Sequence, residues 1–216
     1  MAILISGRGS NMAALIKAAN ADDFPAEIAV VISNRADAMG LALAGAEGIP
    51  TVTIESKPFG KDRAAFEAAL QSALEAYRIE LICLGGFMRL FTAEFVQAWY
   101  GKMLNIHPSL LPSFPGLEPH AQALSAGAKV SGATVHFVTP ETDAGPIVMQ
   151  GVVTVRDDDT PEVLSARILE IEHRIYPAAL RLLAGGRLRL EGAICKFNGN
   201  ASSTDTLISP QPASKG

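Results

Sequence analysis

The chain has 216 residues, 49% of them hydrophobic and 19% charged, with a formal net charge of −4. That length and apolar content suit one α/β domain with a packed core and exclude a disordered polymer. The acidic balance without a basic stripe argues against a nucleic-acid surface, no apolar run is long enough for a membrane span, and Met1 leads into strand-like Ala2-Ile3-Leu4-Ile5 with no signal peptide.

Residues 2–6 are an apolar run, followed by Gly7-Arg8-Gly9-Ser10-Asn11 and then by bulky apolar residues at helical spacing over 12–19. This reads as strand, tight glycine loop, helix. Amides at the helix start, where the dipole favours an anion, suit a phosphate. A plain βα turn with Ser10 as N-cap accounts for the same residues, and neither a Walker loop nor a full G-x-G-x-x-G is present. A second strand is expected at 29–33, an alanine-rich helix at 38–47, a third strand at 51–54 and a loop at 57–61. Phe66, Leu70, Leu74 and Tyr77 mark one face of a helix that Asp62 can cap. Arg63 then falls in the first turn, where the dipole disfavours a cation, so it either meets an anion or is simply solvated. Residues 80–84 form a buried strand, and Gly85-Gly86 at its end permit close approach of a flat ligand or of a neighbouring helix.

A helix over 92–100 leads to Lys102-Met-Leu-Asn105-Ile-His107-Pro108. Alternation along a strand puts Asn105 and His107 on one face and Ile106 on the other, and Pro108 ends the strand at its carboxyl edge. In open α/β sheets that edge is where ligands bind. An amide and an imidazole together there can polarise one carbonyl oxygen, or can merely close the strand. A short helix is expected at 118–125 and paired strands at 134–138 and 147–155. The turn-rich loop between those strands holds Asp143, either a charged partner for the site or an Asx-turn residue. Thr160 caps a long helix with Pro161 at its first position, and Pro177 is expected to kink it. Two short strands around Leu188 and Ile194 complete a domain at 1–197, with 198–216 as a polar, mobile tail. Cys83 and Cys195 lack ligand or disulfide spacing and read as core residues of a cytoplasmic protein. The fold class is α/β: a doubly wound, mostly parallel sheet with helices on both faces and antiparallel additions at one edge.

Ser6-Gly-Arg-Gly-Ser-Asn11, Gly86-Phe-Met-Arg89, Asn105-Ile-His-Pro-Ser-Leu-Leu-Pro112, Pro115-Gly-Leu117 and the segment 132–148 stand in the order and spacing of the folate-dependent formyltransferases. Over residues 2–190 the chain resembles that family. The resemblance implies transfer of a formyl group from 10-formyltetrahydrofolate, as co-substrate, to the glycyl amine of glycinamide ribonucleotide in purine synthesis. It implies Asn105, His107 and Asp143 as the catalytic trio, and Gly9, Ser10 and Asn11 around the 5′-phosphate. Glu172 would contact the glycyl amine. Met88, Arg89, Leu90 and Phe91 would line the folate pocket, largely through backbone groups, with Arg63 near the folate and Asn105 at its formyl end. Small-molecule partners, no metal, no membrane, no nucleic acid, and a monomer or homodimer are the matching expectations.

The chemistry of the residues agrees. Attack of an amine on a formyl carbon builds an oxyanion, to which Asn105 and protonated His107 can donate, with Asp143 favouring the imidazolium and helping to take the amine proton. No nucleophilic side chain is required, and the four histidines lack ligand spacing. Four positions depart from the family pattern: Glu118 replaces a frequent histidine, Leu169 a polar residue, Pro140 an acidic one and Thr142 an aliphatic one. A formyltetrahydrofolate hydrolase is expected to carry a module ahead of the first strand, and a methionyl-tRNA formyltransferase an RNA-binding domain. Sugar-amine formyltransferases and a catalytically dead binding module complete the alternatives.

Overall fold

The computed structural model describes residues 1–198. Its main sheet has seven strands in the order β3-β2-β1-β4-β5-β6-β7. These are β1 (Ala2–Ile5), β2 (Val30–Ser33), β3 (Thr51–Thr53), β4 (Ile82–Leu84), β5 (Met103–His107), β6 (Val130–Phe137) and β7 (Ile147–Thr154). Strands β1 to β5 run parallel, while β6 and β7 are antiparallel additions at one edge, as the sequence implied. A separate hairpin, β8 (Leu188–Glu191) with β9 (Ile194–Phe197), follows. The helices are α1 (Ser10–Ala19), α2 (Met39–Ala46), α3 (Arg63–Ala76), α4 (Ala93–Ala98), α5 (Pro119–Ser125) and α6 (Pro161–Ala184).

Two apolar layers follow from strand alternation. Ile3, Ile5, Val31, Leu104 and Ile106 pack against Met12, Leu15, Ile168 and Leu180 of α1 and α6. Ala2, Leu4, Val30, Ile32 and Met103 face Phe66, Leu70, Phe95 and Trp99 of α3 and α4. Each fully buried aliphatic side chain contributes about 1.5–3 kcal/mol relative to exposure, so a one-residue register slip would be costly on both faces. Tyr176 of α6 is fully buried, its hydroxyl 3.1 Å from the Leu84 carbonyl and 3.0 Å from that of Leu104. It thereby pins the long helix beneath the sheet at Leu84 of β4 and Leu104 of the adjacent β5.

The strand order reverses between β1 and β4, so the loops after those two strands flank the topological switch point. After β4 the chain is tied down again at α4, where the buried Glu67 carboxylate accepts from the Thr92 amide at 2.6 Å and from its hydroxyl at 2.5 Å. Helix α6 continues through Pro177 without interruption. Two local expectations change. The 57–61 loop contains a 3₁₀ turn, Lys57–Phe59, with proline in its first turn. Asn198 belongs to the terminal hairpin, since its amide donates to the Arg187 carbonyl at 2.8 Å; the rest of the expected tail, 199–216, lies outside the described residues.

Candidate active site

Strand β5 delivers Asn105 and His107 to one face at its carboxyl end, while Ile106 joins the opposite apolar layer. His107 is buried, and its Nδ1 stands 3.4 Å from Asp143 Oδ2, the two side chains being 7% and 10% exposed. Its Nε2 is 3.0 Å from the Phe114 carbonyl, which can only accept, so this nitrogen carries the donated proton. Asp143 Oδ2 also accepts the Gly116 amide at 2.8 Å. The aspartate is therefore bound to a distant loop and to His107, and the Asx-turn reading does not hold. Asp143 sits at φ 53°, Phe114 at 57° and Glu118 at 54°, left-handed conformations that non-glycine residues rarely take and that cluster at functional sites.

The sequence reading missed His136. It lies opposite Asn105 in the β5–β6 ladder, with Nε2 at 3.2 Å from Asn105 Nδ2 and 3.8 Å from Asp143 Oδ1. Burial pushes its imidazole below the ordinary value, against smaller opposing effects of the Phe137 carbonyl and Asp143. Four polar side chains thus converge where three were expected. The signal was available only in the pairing register, because alternation within 134–138 cannot say which residue of β5 lies across from His136.

The glycine loop begins as expected and differs at its end. Gly9 occupies the N-cap position of α1 at φ 76° with no side-chain cap, so Ser10 is the first helical residue and not the N-cap. Asn11 is turned inward: its Nδ2 donates to Glu172 Oε2 at 2.6 Å, both residues are buried, and its Oδ1 has no partner among the described residues. Burial raises the Glu172 carboxyl above its ordinary value, and the Asn11 amide opposes that in part. The expected phosphate ligand and the expected amine ligand are thus joined to each other.

The segment after β4 alternates. Met88 and Leu90 are 71% and 58% exposed. The Phe91 ring is stacked between Phe87 and Phe95, and the Arg89 guanidinium lies 4.7 Å over Phe66 while donating to the Gly60 carbonyl. Arg89 and Phe91 therefore pack into the aromatic cluster, and Met88 and Leu90 present apolar side chains outward. The Met88 amide donates to Ser6 Oγ at 2.8 Å, joining this segment to the end of β1. Gly85 packs by the start of α1, which selects the neighbouring-helix reading for it, whereas Gly86 has φ 78° and open space around it. A cavity of about 660 Å³ beside them is lined by Ser6, Gly7, Asn34, Lys57, Gly86 and Met88. A second cavity of about 750 Å³ lies at the strands' amino ends, near Phe24 and Pro50, and contains none of the predicted residues. Arg63 is exposed at the first position of α3, which Asp62 caps through Ala65 N, as expected.

Among the described residues no group of three or more His, Cys, Asp or Glu is arranged to hold a metal ion, and no helix is long and apolar enough to cross a membrane. The departures at Glu118, Pro140 and Thr142 are exposed, and Leu169 is half-buried on α6.

A carboxylate, an imidazole and an amide converge at the carboxyl edge of a doubly wound sheet, an arrangement able to polarise a carbonyl oxygen. The chain belongs to the formyl transferase family, whose model matches residues 1–180. It is 41% identical to the phosphoribosylglycinamide formyltransferase of Haemophilus influenzae over 201 residues, 93% of this chain and 94% of that protein. It is 50% identical to the trifunctional purine biosynthetic protein adenosine-3 of Bos taurus over 90% of its own length, but spans only 19% of that protein. The crystal structure of glycinamide ribonucleotide transformylase 1 from Symbiobacterium toebii superposes with a TM-score of 0.87 at 48% identity, covering 91% of this chain and 92% of that one.

Proposed function

We propose that this chain transfers the formyl group of 10-formyltetrahydrofolate to the glycyl amine of glycinamide ribonucleotide. The observation that carries the reading is the meeting of His107 and Asp143, 36 positions apart in sequence, at 3.4 Å beside Asn105. Binding alone would not require an imidazole and a carboxylate buried together next to an amide donor. The near-full-length similarity to bacterial phosphoribosylglycinamide formyltransferases supports the choice of substrates.

The amine nitrogen attacks the formyl carbon, forming a C–N bond and placing negative charge on the formyl oxygen. That oxygen accepts from the Asn105 amide and from His107 Nε2–H, replacing the Phe114 carbonyl as the imidazole's acceptor. Loss of one such donor typically costs ~10²–10³ in rate. Asp143 Oδ2 is held by Gly116 and faces His107 Nδ1, where it stabilises the imidazolium. Its Oδ1 accepts no protein hydrogen bond among the described residues and is free to take the proton lost by the amine, directly or through water. Collapse of the intermediate breaks the bond from the carbon to folate N10, which takes up the proton that Asp143 received, directly or through water, and leaves as tetrahydrofolate. Gly9, Ser10 and Asn11 hold the 5′-phosphate at the start of α1, and Glu172 receives the ammonium end of the glycyl group before it is deprotonated. The folate lies along Met88–Phe91 with Arg63 toward its carboxylates.

The test incubates purified protein with both compounds and follows tetrahydrofolate release. Release that requires the ribonucleotide is expected. Release without it would assign a hydrolase, and no release would assign a binding module.

A further inference from the structure

The Gly7–Gly9 turn is held from outside its own segment. Gly40, in the first turn of α2, donates its amide to the Gly7 carbonyl at 3.0 Å. A Cβ on Gly9 would stand 2.9 Å from Gly40 Cα. A Cβ on Gly40 would in turn meet Ile5 Cδ1 at 2.5 Å, and both the Gly7 carbonyl oxygen and Gly9 Cα at 3.3 Å. Two backbones therefore touch with no side chain between them. Alanine is the better helix former, so a buried glycine in α2 needs a packing reason, and this contact supplies one.

We propose that Gly40 is a positioning residue for the ribonucleotide: by letting α2 seat against the turn, it aims the amides that begin α1 at the 5′-phosphate. This rests on the phosphate-binding role proposed above for Gly9, Ser10 and Asn11. Hydrogen bonds weaken steeply with angle, and small misplacements of substrate-positioning groups cost disproportionately. The Ile5 methyl is the end of a flexible side chain and can yield. The Gly7 and Gly9 backbone atoms cannot move without moving the turn.

Four proteins separate the possibilities: wild type, Gly40→Ala, Gly45→Ala, and Gly40→Ala combined with Ile5→Val. Gly45 lies on the same helix, and a Cβ there meets nothing within 4 Å. Each is measured for kcat, for KM of both substrates, for calorimetric ribonucleotide affinity and for melting temperature. For Gly40→Ala we expect ribonucleotide KM and Kd to rise about 10-fold or more, with folate KM within about 2-fold of wild type. Ile5→Val removes the Cδ1 collision, so the double variant is expected to recover melting temperature while its ribonucleotide constants stay raised. Gly45→Ala is expected to match wild type. Should Gly40→Ala alone not fold, the double variant carries the comparison. Unchanged ribonucleotide constants, a parallel rise for both substrates, or recovery of affinity along with stability in the double variant would each overturn the proposal. A wild type that binds no ribonucleotide removes the phosphate-site reading and this proposal together, whereas normal wild-type binding with an unaffected Gly40→Ala removes the proposal alone.

Discussion

The Asn105 side-chain amide lies 3.2 Å from Nε2 of His136, its cross-strand partner in the β5–β6 ladder. The His136 Nδ1 is 2.9 Å from the Phe137 carbonyl, which can only accept, so Nδ1 carries the proton. In the neutral ring Nε2 then offers a lone pair, and the Asn105 nitrogen donates to it. His136 thereby fixes which way the amide points and leaves the second N–H of Asn105 available to the oxyanion of the proposed reaction. We expect His136→Ala to lower kcat by at least about 10-fold, less than the ~10²–10³ of losing the donor outright, with both KM values little changed. His136→Gln, whose side-chain oxygen can accept from Asn105, should retain more activity. Steady-state kinetics on the two variants checks this, and equal losses in both would argue against an orienting role.

The same ring sets an acid limit on stability. Below pH ~6.5 the unfolded chain takes up a proton at this histidine. Burial holds the folded ring below its ordinary value, so the folded state declines that proton. Stability is therefore fully present above the unfolded value and falls as pH drops toward the lowered folded one. Urea midpoints of wild type and His136→Gln should diverge at pH 7 and draw together by pH 5; a constant gap would mean the ring titrates normally.

His107→Ala should abolish detectable turnover while leaving folate binding nearly intact, because the imidazole is buried and its contacts are to Asp143 and Phe114. Equilibrium titration with a folate analogue, run beside the turnover assay, separates the two effects. A large loss of folate affinity would assign the histidine to binding.

Glu172 carries the opposite sign from His136. Its carboxyl is raised by burial, so over the window above the ordinary carboxyl value the folded state keeps a proton that the unfolded chain has released. Stability declines as pH rises through that window. Glu172→Gln keeps an acceptor for the Asn11 amide and removes the buried charge. It should be more stable than wild type at pH 7, with the advantage shrinking as pH falls to 4, while ribonucleotide affinity drops. Thermal melts across pH 4–8 test it, and a pH-independent difference would contradict the assignment.

Tyr176→Phe should cost about 1–2 kcal/mol of unfolding free energy, because it leaves the Leu84 and Leu104 carbonyls buried without that donor. Urea denaturation measures it. A neutral result would mean that another donor, such as water, reaches those carbonyls.

Local patterning carried most of the fold. Alternation in Met103–His107 fixed the shared face of Asn105 and His107, and helical spacing located α3 and its Asp62 cap. Both signals depend on residues within a few positions of one another, which is why they survive in a bare sequence. Ser10 could serve as a cap, because a serine before an apolar run fits that role, and only the φ of Gly9 reveals where the helix starts.

What the chain alone determined was the order of its elements, the faces of its strands, and three polar residues, two at the end of β5 and one in the loop after β6. The tertiary structure decided the rest: that Asn11 meets Glu172 across 161 positions, that His136 lies opposite Asn105, and that Gly40 presses on Gly9. Each of these is a contact between separately built segments. Such contacts depend on strand register and on how helices seat against the sheet, and no local propensity encodes either of those.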